Sequence, residues 1–164
     1  MKIAIISDIH DNENQLLSAL IAIADSEAQC LICLGDLEST QTLRSLRGNW
    51  DKPLHLVLGN NDWPEQQYQR LCEQWDQTQF HGVEGKITIA GRQLYFTHFP
   101  HAALLAAQGG LYDAAFYGHT HHAQEEYIGR CLLLNPGELQ GRSKRYTWAL
   151  YDSDTNSATI HSLS

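Results

Sequence analysis

Several short apolar runs of this sequence end directly before aspartate, asparagine or histidine. The residues in such positions include Asp8, His10, Asp36, Asn60, Asn61, His98, His119 and His121. Turn formation explains an asparagine after a strand, because its side chain hydrogen-bonds to nearby backbone, but it does not explain the repeated histidines. Since ligands bind at the carboxyl ends of strands in open α/β sheets, these side chains are predicted to face one crevice.

Two pairs of these residues have the spacing of side chains that share a ligand. Asp8 and His10 are two positions apart, as are His119 and His121, and side chains two apart lie on the same side of an extended backbone. A lone histidine beside a strand is more often structural, but two such pairs favour a ligand site. Two carboxylates about 4 Å apart repel by about 4 kcal/mol at an effective dielectric constant of about 20. Grouping Asp8 with Asp36 therefore requires cations between them.

The candidate ligands are oxygen and imidazole groups without a thiolate. Such donors suit divalent ions such as Mn, Fe, Zn or Co. Seven ligands exceed what one ion with an open position needs, and they suit two ions that share a carboxylate. The sequence therefore predicts a binuclear site.

Strand-length apolar runs alternate with helical patterns in the first half of the chain. Residues 3–6 and 31–34 are apolar, and residues 12–25 between them carry leucine and isoleucine at helical spacing after an Asp or Asn cap. Further strands are predicted over residues 54–58, 94–96, 114–117 and 132–134, helices over 64–75 and 102–107, and hairpins around Gly91 and residues 152–156. These signals predict an α/β fold with two partly parallel, partly antiparallel sheets and outer helices.

Length and composition predict one cytoplasmic domain over residues 1–164. The chain is 43% hydrophobic and 18% charged, as in soluble globular domains, and has no repeat or linker. Its 19 acidic and 11 basic residues give a net charge of -8, which disfavours a stable nucleic-acid complex. No apolar run approaches the roughly 20 residues of a membrane span, and no cleavable signal pattern follows Met1. Cys30 and Cys33 lie in a strand-like run and are expected to be buried, inert thiols.

The motifs that contain the candidate ligands, in their order along the chain, resemble those of the calcineurin-like metallophosphoesterases. The resemblance rests on Asp8-x-His10, Gly35-Asp36, Gly59-Asn60-Asn61-Asp62, His98 and Gly118-His119-Thr120-His121. The length and Asn135-Pro136-Gly137 are most similar to the small bacterial and archaeal phosphodiesterase branch, to which the eukaryotic retromer subunit is related. The resemblance implies a four-layer α/β/β/α sandwich of two mixed β-sheets.

The family's ligand scheme carries over to this sequence as an implication of the resemblance. Asp8, His10 and His121 would hold one ion, and Asn60, His98 and His119 the other, with Asp36 bridging them. The expected cofactor is two divalent ions, manganese first, with iron, zinc, cobalt or nickel as alternatives. The expected activity is hydrolysis of a small phosphodiester, or of a phosphomonoester or nucleotide, by a hydroxide that bridges the ions.

A non-catalytic protein-interaction scaffold of the same fold, as in the retromer subunit, is the alternative function. Erosion of the metal ligands is the usual mark of such a scaffold, and all seven are intact in this chain. The intact set favours an enzyme.

The motif around Asn60 departs from the family pattern. Many members carry histidine at the position of Asn61, where it protonates the leaving group, and an amide cannot act as an acid. This favours diesters with good leaving groups. His101 and His122 are either alternative proton donors or solvent-facing side chains. A second G-N-x-D pattern at residues 48–51 follows a helix-like stretch, so Asn49 is interpreted as a turn residue.

The only basic cluster spans residues 141–145. Arg142 and Arg145, together with Asn61, are predicted to bind the substrate, and the two arginines to steer its negative charge toward the metals. A solvated loop is the alternative. The sequence does not decide whether the chain forms a homo-oligomer. Three tryptophans, Trp50, Trp63 and Trp75, would cover either a dimer contact or the core, and we expect the core.

Overall fold

The computed structural model describes residues 1–142 and 144–163 as four helices and eleven strands. The helices are α1 (Glu13–Asp25), α2 (Thr40–Gly48), α3 (Glu65–Cys72) and α4 (Pro100–Gln108). The strands are β1 (Lys2–Ile6), β2 (Cys30–Cys33), β3 (Leu54–Leu56), β4 (Thr78–Phe80), β5 (Glu84–Ile89), β6 (Arg92–Thr97), β7 (Ala114–Phe116), β8 (Gln124–Ile128), β9 (Cys131–Asn135), β10 (Thr147–Asp152) and β11 (Ser157–Ser162).

The strands form two mixed sheets. The six-stranded sheet has the order β11-β10-β1-β2-β3-β4, in which β1 to β4 are parallel and β10 and β11 complete an antiparallel edge. The five-stranded sheet has the order β5-β6-β7-β9-β8, with a parallel centre and antiparallel outer strands. Parallel neighbours bring their carboxyl ends to one edge of each sheet, which is where the polar residues follow.

Alternate residues of β1 enter different hydrophobic layers. Ile3 and Ile5 pack between the sheets against residues such as Phe116, whereas Ala4 and Ile6 face the core under α1, α2 and α3. Helix α4 covers the outer face of the second sheet. The layers are therefore helices, sheet, sheet and helix, which confirms the predicted α/β/β/α sandwich.

Most predicted elements are confirmed, and the differences have local causes. Pro64 precedes α3, and that helix ends at Cys72, three residues before its predicted end. Strands β4 and β8 were not predicted. Strand β4 has only three residues, and β8 is exposed along nearly its whole length, so neither shows a clear pattern of buried residues. Among the described helices, none has the length and hydropathy required to cross a membrane.

The side chains expected to be buried differ in outcome. Trp50 is buried and Trp75 packs on the core, but Trp63 is 68% exposed, so its expected core role is wrong. Cys30 and Cys33 are buried free thiols. Burial raises the pKa of Cys30 to about 12 and that of Cys33 further, so neither forms a reactive thiolate at neutral pH.

Strand β3 and the segment after β4 place two imidazoles in contact. The His55 Nδ1 atom lies 3.0 Å from His81 Nε2, and both rings meet Phe96 edge-on. Burial, and secondarily the charge of His81, lower the pKa of His55 from 6.5 to about 4.

Acid is therefore expected to destabilise the fold through His55. Below about pH 6.5 the unfolded chain binds a proton at this residue, whereas the folded chain does so only near pH 4, so the free energy of unfolding falls between these values. In His55→Leu, the fall between about pH 7 and about pH 4.5 should be smaller by about 2 kcal/mol. Urea unfolding with EDTA at both pH values measures this difference. An equal fall in both proteins would refute the prediction.

Candidate metal centre

The seven predicted ligands follow five strands from both sheets. Asp8, Asp36 and Asn60 follow β1, β2 and β3, His98 follows β6, and His119 and His121 follow β7, while His10 lies two residues beyond Asp8. The backbone N–H of His119 donates to Asp8 Oδ2 at 3.0 Å, which links the two sheets at this edge. The structure thus gathers residues that lie as far apart in the sequence as Asp8 and His121.

The first group consists of Asp8, His10 and His121. The Asp8 Oδ1 atom lies 3.3 Å from His121 Nε2 and 3.9 Å from His10 Nε2. The two imidazoles stack with ring centroids 5.3 Å apart. One donor atom from each residue lies within 4.8 Å of the others, a spacing that suits ligands of one ion.

Asp36 connects this group to the second one. Its Oδ2 atom lies 3.4 Å from both His10 Nε2 and His98 Nε2. Asp8, Asp36 and His98 form another set whose donor atoms lie within 4.8 Å of one another. Asp36 therefore occupies the position between the two groups.

His119 and Asn60 complete the second group beside His98. The His119 Nδ1 atom lies 2.9 Å from Asn60 Oδ1 and 3.2 Å from His98 Nε2. Unlike the other three histidines, His119 turns its Nδ1 atom rather than Nε2 toward its neighbours.

The outer hydrogen bonds of three histidines determine which nitrogen carries the proton. The Nδ1 atoms of His10, His98 and His121 lie 3.1, 2.9 and 2.7 Å from Glu38 Oε2, the Leu34 carbonyl oxygen and Glu138 Oε2, respectively. Because these oxygens accept, each Nδ1 donates, which leaves each Nε2 as the ring nitrogen that faces the carboxylates.

Two buried polar atoms in the first group lack a partner. Asp8 Oδ1 and His10 Nε2 make no hydrogen bond to any part of the chain described. Buried polar atoms are normally hydrogen-bonded, and here a carboxylate oxygen and an imidazole nitrogen lie 3.9 Å apart, too far for a hydrogen bond. A cation between them would satisfy both, so the residues present fit a divalent metal.

Five of the predicted ligands have left-handed backbone conformations. Their φ angles are 54° at Asp8, 46° at His10, 52° at Asp36, 69° at His119 and 61° at His121. Such angles are strained for residues other than glycine and concentrate at functional sites. The strain is consistent with loops shaped by the site rather than by local propensity.

The sequence model of the calcineurin-like phosphoesterase superfamily domain matches residues 1–156. The chain belongs to this superfamily. Membership implies a hydrolase of phosphate esters that uses divalent metal ions, and it confirms the resemblance seen in the sequence motifs.

Known proteins extend this similarity. The chain is 29% identical to phosphodiesterase MJ0936 of Methanocaldococcus jannaschii over 143 residues, which is 86% of each chain. It is similar to a solved archaeal phosphodiesterase, with a TM-score of 0.89 and 26% identity over 99% of this chain and 100% of the other. Vps29 of Entamoeba histolytica complexed with zinc has the same fold, with a TM-score of 0.69 and 18% identity over 99% and 98% of the two chains.

Two buried residues of this phosphoesterase hold the loops that carry the ligands. Asp62 accepts hydrogen bonds from the backbone N–H groups of Asp36, Gly59 and Glu38, at 2.7, 2.8 and 2.9 Å. Asn135 donates to the Gly118 carbonyl at 3.0 Å and accepts from the Gly137 N–H at 2.8 Å. The motifs contained both residues, but their function as loop anchors was not predicted.

Glu38 and Glu138 were missed altogether as partners of the ligands. Glu138 is fully buried, and Glu38 has a half-exposed side chain. Their motif positions carry no distinctive spacing. The only available signal was their location directly after Asp36-Leu37 and Asn135-Pro136-Gly137.

Asn61 donates two hydrogen bonds to the Asp36 carboxylate. Its backbone N–H and its Nδ2 donate to the two Asp36 oxygens at 2.9 and 2.8 Å. Burial raises the pKa of Asp36, but contact with His98 and these two donors outweigh it and hold the pKa below its ordinary value of 3.8. Asp36 is therefore negatively charged at neutral pH.

The predicted substrate-binding arginines line depressions next to the candidate metal centre. Arg142 and His122 line one depression together with His121, and Arg145 lines another that also contains His121. Ser143 of the basic cluster lies outside the described residues. Asn49 follows α2 as its C-cap, which confirms that the second G-N-x-D pattern is a turn.

Proposed function

We propose that this chain is a phosphodiesterase that hydrolyses small phosphodiesters with two divalent ions. Asp8, His10 and His121 would hold the first ion, Asn60, His98 and His119 the second, and Asp36 both. The observation that carries the proposal is the orientation of the imidazoles. Three Nδ1 atoms donate outward, so three Nε2 atoms converge on two carboxylates.

Two divalent ions, when bound, supply Lewis acidity toward phosphoryl oxygens and lower the pKa of coordinated water toward 7. The chain itself supplies orientation. Glu138 holds the Nδ1 proton of His121 away from the centre, and the Leu34 carbonyl does the same for His98. Asn61 fixes the Asp36 carboxylate with two donors. Such outer partners typically strengthen metal affinity by 10- to 100-fold.

The absence of an acid at position 61 defines the preferred ester. The Asn61 amide donates to Asp36 and cannot protonate a leaving oxygen. Diesters with good leaving groups should therefore react faster than monoesters of aliphatic alcohols. Manganese is the proposed first choice of metal, with iron, zinc, cobalt or nickel as alternatives.

A protein-interaction scaffold of the same fold is less well supported. The similarity to Vps29 concerns the fold alone, and all seven ligands are retained in this sequence. Glu138 and Asn135 are buried and hydrogen-bonded to His121 and to the loop that carries it. A scaffold would not need this combination.

Metal analysis and a hydrolysis assay on the same preparation test the proposal. After loading with manganese and removal of free metal, we expect about two ions per chain and hydrolysis of bis(4-nitrophenyl) phosphate that EDTA abolishes. Two ions without turnover of this or other diesters would favour the scaffold. One ion per chain would contradict the binuclear assignment.

A further inference from the structure

Two open depressions meet at the exposed side of the first ligand group. One, of about 510 Å³, is lined by His121, His122, Ala123, Arg145, Thr147, Ile160 and Ser162. The other, of about 330 Å³, is lined by His119, Thr120, His121, His122 and Arg142. Because they share His121 and His122, they form one surface, which we call the arginine groove. Its size is in the range of small-molecule sites.

The charge of the arginine groove differs from that of the whole chain. The chain has a net charge of -8, yet no aspartate or glutamate occurs among the described residues that line the groove. Each depression instead contains one arginine. A guanidinium group matches the geometry of phosphate oxygens with paired donors, so the groove suits an anionic ligand.

The groove wall is fixed relative to the metal ligands. Thr147 and Ser162 are directly paired across β10 and β11. The Thr147 N–H donates to the Glu138 carbonyl at 2.9 Å, and the Glu138 carboxylate accepts from His121 at 2.7 Å. One residue thus joins the C-terminal hairpin to a ligand of the first ion.

The floor of the groove is closely packed. A Cβ atom on Gly137 would overlap Thr147 Oγ1 and approach Ala123 Cβ at 3.3 Å. Thr147 and Ala123 therefore pack against the backbone next to Glu138, the residue that accepts a hydrogen bond from His121.

We propose that the arginine groove binds a second phosphate group of the substrate, so that preferred substrates are phosphodiesters that carry a further phosphate. This proposal rests on the proposed phosphodiesterase function. The scissile diester occupies the metal centre, and the additional phosphate contacts Arg145 and the hydroxyl-bearing wall formed by Thr147 and Ser162.

Two dinucleotides that differ by one phosphate test the proposal kinetically. For the manganese-loaded protein, kcat/KM for 5′-phosphorylated ApA should exceed that for unphosphorylated ApA by about tenfold or more. Arg145→Met should reduce this ratio to about one, and because the ratio is normalised to unphosphorylated ApA, any general change in activity cancels. Ser162→Asp should also reduce the ratio, and its neutral match Ser162→Asn should not.

Lys144→Met is the control for general attraction of anions. Lys144 is exposed and lines neither depression, so this variant should keep the full ratio. A wild-type ratio near one, or equal losses in Lys144→Met and Arg145→Met, would overturn the subsite.

A binding measurement separates the subsite from catalysis. By calorimetry, adenosine 3′,5′-bisphosphate should bind the loaded protein at least about tenfold more tightly than AMP, and Arg145→Met should remove the difference. If this holds but no diester is hydrolysed, the subsite stands and the proposed function fails. If both dinucleotides are hydrolysed equally and both nucleotides bind equally, the function stands and the subsite fails.

Discussion

Asp36→Asn is expected to lower kcat/KM for a phosphodiester by at least about a thousandfold and to reduce the metal content well below two ions per chain. The Asp36 Oδ2 atom lies 3.4 Å from one imidazole of each ligand group. An amide has no negative charge to offset two divalent cations. It would also direct N–H hydrogens at the donors of Asn61, which now face two acceptor oxygens.

Inductively coupled plasma mass spectrometry and diester hydrolysis measure the two effects on one preparation. Asp51→Asn is the matched control, because Asp51 ends the second G-N-x-D pattern and is exposed. It should keep wild-type metal content and activity. If Asp36→Asn kept both as well, the bridging assignment would be wrong.

Gly59→Ala is expected to lower the free energy of unfolding by at least about 2 kcal/mol and to abolish metal-dependent hydrolysis. A Cβ atom at position 59 would overlap the Asp36 carboxylate and lie 2.6 Å from the Asp36 backbone nitrogen. The loop after β3 would have to move away from the loop after β2. Asn60 and Asp36 would then no longer lie at one centre.

The other G-N-x-D pattern offers the same substitution as a control. Gly48 ends α2, and a Cβ atom there would meet nothing within 4 Å. Gly48→Ala should therefore leave activity unchanged and stabilise the fold by up to about 1 kcal/mol. Urea unfolding in EDTA compares the stabilities without a contribution from metal. Equal stabilities of the two variants would show that the close approach at Gly59 has no energetic consequence.

The local sequence carries enough information for the layers of this fold and for the types of ligand. The apolar run of β1 is continuous, as in a strand buried on both faces, and the apolar residues of α1 recur at helical spacing, so these patterns predict what each element buries. Strand β8 could not be predicted in this way, because its residues are exposed and it is defined by its antiparallel pairing with β9. The position of Trp63 could not be predicted either, because an aromatic side chain normally indicates a core position, yet this one is exposed.

The sequence by itself determined that Asp8, Asp36 and the histidines follow strands, because strand ends are encoded by neighbouring residues. Only the tertiary structure decided that Glu138 orients His121, and that Arg145 and His121 line the same groove. Such contacts depend on the order in which strands pair within two sheets. That order is set by packing among residues far apart in the chain, so no local period records it.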